Sequence, residues 1–213
     1  MAGRITALAP QRGRRERLNV FLDGRFAFGL DQEVAARAGL RVGMVLDEAD
    51  VARLRDDDEA ARFYGDALRY LSFRPRSTSE VERYLRRRGA DETVLTSTLE
   101  RLHRAGLVDD EAFARYWVEN RGAFSPRGAR ALQAELRAKG VDQARIDEVL
   151  DEKDEGEDER AYQAGLKRLR LLARCDEDEF RKRLCAFLQR RGFDYETARS
   201  AAERLWAERD TLT

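Results

Sequence analysis

Asp109, Asp110 and Glu111 stand side by side, and adjacent carboxylates are a common means of holding hard cations such as magnesium. The same residues sit just ahead of Phe113, where an apolar helical pattern begins. There an acidic side chain accepts from unpaired backbone amides and complements the helix dipole. The spacing favours the cap, and a metal-dependent enzyme stays as the weaker alternative. Nucleophilic catalysis has less to work with. His103 is the single histidine of the 213 residues, so no serine, threonine or cysteine has an imidazole base, and His103 reads as a helix-surface residue. Cys175 and Cys185 are the only cysteines; with no second histidine they do not close a zinc site, and they read as reduced thiols of a cytoplasmic protein. Neither a G-x-x-x-x-G-K-[ST] loop nor a G-x-G-x-x-G turn is present to cradle a nucleotide. The expectation is a protein that is not an enzyme and carries no cofactor and no metal.

Arginine offers chemistry of another kind. Arg83, Arg86, Arg87 and Arg88 crowd the end of one helical pattern, preceded by Arg69, Arg74 and Arg76, with Arg62 extending the strip. One or two cations complement a helix C-terminus; this many exceed that need. Corresponding positions further along carry Arg127, Arg137 and Lys139, then Arg190 and Arg191. The guanidinium fork suits phosphate and carboxylate alike, so these twelve positions, Arg62 aside, form a candidate surface for a protein partner or DNA without choosing between them. Neighbouring helix positions point about 100° apart, so Arg86, Arg87 and Arg88 cannot all face the core. Reversing their three charges is expected to spare the fold.

The elements that carry these cations repeat. Leu85-Arg86-Arg87-Arg88-Gly89 returns as Leu136-Arg137-Ala138-Lys139-Gly140 and as Leu188-Gln189-Arg190-Arg191-Gly192, with glycines 51 and 52 residues apart. Phe73-Arg74-Pro75-Arg76 recurs as Phe124-Ser125-Pro126-Arg127. Copies of this length are small helical units that bury their apolar faces locally and against neighbours, and such arrays present extended surfaces to large partners.

In the first copy Ser77 and Glu80 form a capping box. Val81, Tyr84 and Leu85 make the buried stripe, and Gly89 ends the helix. Asp91 caps a second helix with Leu95, Leu99 and Leu102 inward, stopped by Gly106. Asp109 or Asp110 caps a third, packing Phe113 and Trp117. In the second copy Ser125 is expected at N-cap with Pro126 at N1.

Ahead of the repeats, Leu18, Val20 and Leu22, then Phe26, Phe28 and Leu30, alternate about Asp23-Gly24, which predicts a β-hairpin. Ile5 to Leu8 reads as a further strand, and Gln11 to Arg17 as an exposed basic loop. Asp31 caps a short helix closed by Gly39. Asp47 opens another, and a longer helix is expected from Asp57 to Phe73, ended by Pro75.

Charge distribution adds detail. The 41 basic and 41 acidic side chains cancel, which excludes a generic polyanion binder, but they fall in blocks: +4 over 1–30, −5 over 31–60, +5 over 61–90, −6 over 151–159 and +5 over 160–175. The acidic block Asp151 to Glu159 has no apolar stripe and is expected to be an exposed, mobile link. No apolar run approaches the roughly 18 residues of a membrane span, and no apolar stretch follows the basic N-terminus as a secretory signal requires. The reading is a mainly α chain of tandem three-helix bundle repeats in an elongated array, with a small N-terminal extension containing a β-hairpin. The divisions are 1–56 for the extension with short helices, 57–123 for the first repeat with its leading helix, 124–174 for the second and 175–213 for a partial third.

Three blocks resemble a known family. Arg76-Ser77-Thr78-Ser79-Glu80-Val81 with Leu85 to Gly89 resembles the first repeat of the RecX regulators of bacterial recombination. Gly106-Leu107-Val108-Asp109-Asp110-Glu111-Ala112-Phe113-Ala114 is similar to that family's most recognisable block, and Glu135 to Val141 to its second-repeat block. Arg17 to Leu30 is similar to the strand-containing extension of many members. Ala90 departs from the bulky apolar residue common after the glycine. The resemblance implies a monomeric cytoplasmic regulator, with no membrane association, in DNA repair, recombination and the SOS response. It implies binding of the RecA recombinase in its filament on single-stranded DNA, lodged in the filament groove, limiting filament growth and blocking strand exchange, ATP hydrolysis and repressor co-cleavage. Direct DNA binding through helix-turn-helix-like bundles is the alternative.

Overall fold

The computed structural model describes residues 2–11, 14–152 and 156–212. By internal contacts the chain forms two compact units, one of residues up to Arg74 with Val81–Leu107, the other of Pro75–Glu80 with residues from Val108 onward.

In the first unit, β1 (Gly3–Gln11), β2 (Arg14–Leu22), β3 (Arg25–Asp31) and β4 (Val45–Leu46) form an antiparallel sheet in the order β3-β2-β1-β4. Asp23 and Gly24 both take positive φ, 48° and 78°, as the two-residue turn requires. Alternation then sends Val20, Leu22, Phe28 and Leu30 to one buried face. Gln11 pairs with Arg14, so the basic loop expected over Gln11 to Arg17 is strand backbone nearly throughout, with residues 12 and 13 outside the described ones. Helix α1 (Gln32–Arg37) is capped by Asp31.

The two helices expected after Asp47 are one, α2 (Glu48–Leu71), opened by an Asp47–Asp50 capping box. No proline or glycine interrupts it from Glu48 to Tyr64, and its acidic middle is stabilised where Asp58 accepts from the Asp31 amide and from Arg17, each at 2.7 Å. Val51 and Leu54 complete the sheet's core. Further along, Phe63 and Ala67 are buried, as are Val81 and Leu85 of α3 (Thr78–Arg87) and Leu95 and Leu102 of α4 (Glu92–Arg104). Tyr70 and Tyr84 stack face to face, 4.2 Å between centroids.

In the second unit, α5 (Asp110–Phe124), α6 (Ala129–Ala138) and α7 (Gln143–Glu152) share one core: Phe113 and Val118 against Leu132, Leu136, Ile146 and Val149. A separate core joins α8 (Glu157–Leu166), α9 (Leu169–Leu172), α10 (Glu177–Arg190) and α11 (Tyr195–Leu212) through Tyr162, Phe180, Leu184, Leu188, Phe193 and Leu205. The grouping is shifted by one helix from that expected: α5 packs with α6 and α7, and α8 with α10 and α11. A period in sequence counts helices; which helices bundle is decided by where their apolar faces meet.

Two carboxylates at the first position of a helix cap another helix. Asp110 accepts from the Thr78 amide at the start of α3, 2.8 Å, and Glu157 accepts from the Ala129 amide at the start of α6, 2.8 Å. This corrects two expectations. Ser125 ends α5 rather than capping α6, whose N-cap is Gly128 with no side-chain oxygen of its own. The acidic segment is exposed at Asp151, Asp158 and Glu159, as expected, but its described residues are helical rather than a link: Asp151 and Glu152 finish α7, Glu157 opens α8 and is buried, and residues 153–155 lie outside the described ones.

The repeat glycines make the junctions. A Cβ on Gly140 would lie 2.4 Å from the Ser79 Cβ, and one on Gly192 2.4 Å from the Ala131 Cβ and 2.5 Å from its amide nitrogen. The carbonyl before each glycine is hydrogen-bonded in the same way, Lys139 accepting from the Ser77 hydroxyl at 2.6 Å and Arg191 from the Gly128 amide at 3.1 Å.

Candidate functional site

The amphipathic α3 turns Val81 and Leu85 inward and leaves Arg83, Arg86, Arg87 and Arg88 exposed at its C-terminal end, but most of this charge is already answered. Arg86 pairs with Glu82 at 3.0 Å and with Glu92 at 2.9 Å. The Glu82 hydrogen bond and then the Glu92 charge hold its pKa above the ordinary arginine value. Arg88 binds the buried carboxylate of Asp66 at 3.0 Å, with a like effect on its pKa, and Arg69 pairs with the same carboxylate. Arg62 pairs with Glu59 at 2.8 Å. Arg74, Arg76 and Arg83 are each engaged with neighbours. Arg87 has no ion pair with a described residue, and it borders a concavity of about 890 Å³ with Arg17, Arg62, Arg69 and Arg88.

Further along, two of the expected cations work at a junction or a helix end. Lys139 lies 2.8 Å from Glu80 and 4.9 Å from the Trp117 ring centroid, beside the Ser77 contact, and Arg137 donates to Gln143 at 2.6 Å. The others come together. Arg191 donates to the Pro126 carbonyl at 3.2 Å, and its guanidinium lies 4.8 Å from the Phe187 ring, which also has Arg168 at 4.5 Å. Arg127 is 3.9 Å from Glu135, whose carboxylate also takes Arg121 at 2.7 Å and the Trp117 indole at 2.8 Å. Burial, then the like charges of Arg127 and Arg168, hold the Arg191 pKa below the usual arginine value. Arg190 is exposed beside Arg168 and Arg183 and has no ion pair with a described residue. Sequence reasoning named Arg127, Arg190 and Arg191 but missed Arg168, Arg183 and Phe187. The +5 block over 160–175 and the seven-residue step from Arg183 to Arg190, two helical turns, were the signals available.

The acidic pair is taken up at two helix ends. Asp109 caps its own helix, accepting from Glu111 and Ala112, and Asp110 caps α3. Among the described residues no three His, Cys, Asp or Glu side chains are placed to hold a metal ion. Burial pushes both the Cys175 and the Cys185 thiols up from their ordinary pKa, away from the reactive thiolate. No described helix is long and apolar enough to cross a membrane.

Against known proteins, four family models match in order: the RecX N-terminal domain over residues 3–47, and the first, second and third RecX three-helix domains over 64–102, 109–150 and 155–207. The chain is 31% identical to the regulatory protein RecX of Bacillus subtilis, over 98% of this chain and 80% of that one. It is 29% identical to that of Listeria monocytogenes serovar 1/2a, over 97% and 77%. A crystal structure of regulatory protein RecX superposes with a TM-score of 0.75 at 28% identity, covering 92% of this chain and 97% of that one. RecX from Lactobacillus salivarius shares the fold at a TM-score of 0.64 and 22% identity, over 71% of this chain and 99% of its own.

Proposed function

Because this chain belongs to the RecX family of regulatory proteins, we propose that it binds the RecA recombinase, in its filament on single-stranded DNA, and inhibits its recombinase, ATPase and co-protease activities without catalysing a reaction itself. The observation that carries this reading is the ordered match of four family domains along nearly the whole chain. The engagement of Asp109 and Asp110 as helix caps supports a role in binding rather than turnover. Within the basic surface, the proposed contacts are the cations whose charge is least answered from within: Arg87 on the first unit, and Arg127, Arg190 and Arg191 on the second. Arg69, Arg74, Arg76, Arg83, Arg86, Arg88, Arg137 and Lys139 are proposed to shape the surface around them.

The test is RecA's ATP hydrolysis on single-stranded DNA with increasing amounts of this protein. A dose-dependent decrease is expected, with no hydrolysis by this protein alone. Unchanged RecA activity, together with no retention of RecA in a pulldown with nucleotide and DNA, would overturn the reading. ATP hydrolysis or DNA cleavage in the absence of RecA would overturn the non-enzymatic part.

A further inference from the structure

Phe73 and Phe124 hold corresponding places in the first two copies of the repeat, Phe73-Arg74-Pro75-Arg76 and Phe124-Ser125-Pro126-Arg127. They are 81% and 76% exposed, the most exposed large apolar side chains among the described residues. Phe63, Phe113, Phe180 and Phe193 are buried by contrast. Other residues that the two copies share have a task within the fold. Leu85 and Leu136 are fully buried, and Gly89 and Gly140 take the positive φ that ends their helices. The two phenylalanine rings fill no core, since water already reaches most of each.

Each ring stands on a settled support. Phe73 follows the last turn of α2, where the Ser72 amide donates to the Leu68 carbonyl at 2.9 Å and the Ser72 hydroxyl to the Arg69 carbonyl at 2.8 Å. Phe124 ends α5. Its carbonyl accepts from the Lys167 ammonium at 3.0 Å, and the Ser125 amide donates to the Arg121 carbonyl at 2.9 Å. A ring on such a backbone gives up little freedom when it enters a pocket, and a few side chains seated in pockets supply most of the affinity of an interface.

One exposed apolar residue is ordinary on a protein surface. The same ring, exposed to a similar degree at the same place in two copies, is a repeated anchor, and a repeated anchor fits a partner that repeats its pocket. A polymer of identical subunits does so at every subunit. An arginine lies three residues beyond each ring, Arg76 and Arg127, so carboxylates at the rim of one pocket complement both anchors alike. The third copy has no counterpart, since Cys175 and Asp176 stand 51 and 52 residues after Phe124. The anchors are therefore two.

We propose that Phe73 and Phe124 each seat in the same apolar, acid-rimmed pocket, on separate subunits of a filamentous protein partner. The proposal rests on the reading that this partner is the RecA filament.

The experiment is anisotropy of the fluorescently labelled full chain, titrated with RecA filaments on single-stranded DNA, read beside the inhibition of RecA's ATP hydrolysis. The proteins are the parent, Phe73→Ala, Phe124→Ala, the double variant, and Leu171→Ala as a control for the loss of exposed apolar surface elsewhere. Each single variant is expected to lose about tenfold in affinity, and the two losses should be alike. The double variant should lose roughly a hundredfold, since both points of attachment are gone. Inhibition should weaken in the same order, melting points should stay at the parent's value, and Leu171→Ala should bind as the parent does. If the parent binds and inhibits but the double variant does so equally well, the anchors are excluded while the regulatory reading stands. If the parent neither binds nor inhibits, the regulatory reading falls and this proposal with it. Loss in one single variant alone, or an equal loss in Leu171→Ala, would overturn the repeated anchor. So would an early melt in either alanine variant, which would make that ring part of its own bundle's core. Two further outcomes overturn it by naming another occupant: a parent dimer that the double variant dissolves, and a proportionate loss of affinity for bare oligothymidylate, which would place the rings on bases.

Discussion

Asp109 and Asp110 are neighbours with separate tasks. Asp109 accepts from two amides of its own helix and Asp110 from the Thr78 amide that opens α3. Each alanine substitution should therefore cost about 1 kcal/mol, the usual loss for a cap, and the double variant close to the sum, since different helix ends are uncapped. Urea midpoints at constant slope check this; a silent Asp110→Ala would contradict the cross-helix cap. The arginines behave unequally for a similar reason. Reversing all three of Arg86, Arg87 and Arg88 is expected from sequence to spare the fold, because exposed ion pairs contribute little. Arg88, however, answers the carboxylate of Asp66, whose side chain is only 8% exposed, so Arg88→Glu places a negative charge on a buried negative charge. Arg87→Glu should leave the melting curve in place, while Arg88→Glu lowers the melting point, because the buried carboxylate loses one of its two cations, keeps only Arg69, and gains a like charge beside it. At Glu208 the Tyr162 hydroxyl, donating at 2.5 Å, is the first cause of a lowered carboxyl pKa. A lowered folded-state pKa stabilises above the unfolded value and the contribution is lost as pH falls through the folded value. Tyr162→Phe should thus reduce the difference in urea midpoint between neutral pH and the acid side of the ordinary glutamate range. A difference equal to the parent's would exclude this bond as its source.

Among the elements, the glycine-ended helices show how one motif serves unlike positions. Gly89, Gly140 and Gly192 all hold positive φ, at 91°, 82° and 92°, so alanine at any of them carries the strain of a left-handed residue, roughly 1–2 kcal/mol. Beyond that they diverge. A Cβ at Gly89 meets nothing within 4 Å, one at Gly140 meets the Ser79 side chain, and one at Gly192 meets the Ala131 backbone. Thermal melts should rank the variants Gly89→Ala, then Gly140→Ala, then Gly192→Ala in increasing damage. Ser79→Gly should recover part of the Gly140→Ala loss, because it removes the clashing atom. Equal damage at all three would mean that the glycines serve only to end helices. The helices, their caps and the hairpin were legible from local pattern: Asp31, Asp47, Asp91 and Asp109 cap where expected, and Asp23-Gly24 turns the hairpin. The cap of α6 was not legible, because its carboxylate, Glu157, lies 28 residues downstream and no local rule connects them.

At the scale of the whole molecule, stability is divided among separate cores. The two tryptophans, Trp117 and Trp206, flank different ones. Repeat proteins of this kind lose two-state behaviour when one unit is weakened. Leu184→Ala, fully buried in the third bundle, should cost about 2–5 kcal/mol. Followed in single-tryptophan variants, the Trp206 transition should move to lower urea while that of Trp117 moves less; coincident shifts would show the bundles to be one cooperative unit. The sequence by itself determined the helical class, the hairpin, the threefold motif and the location of the cations, because each depends on residues within a few turns of one another. It could not show which helices share a core, that Asp110 and Glu157 cap helices other than their own, or which arginines are neutralised. Those outcomes depend on distances between segments far apart in the chain. Arg88 and Asp66 are 22 positions apart, and Arg191 and Arg127 lie still further apart in the chain, so only the tertiary structure decided that the first cation meets a carboxylate and the second another cation.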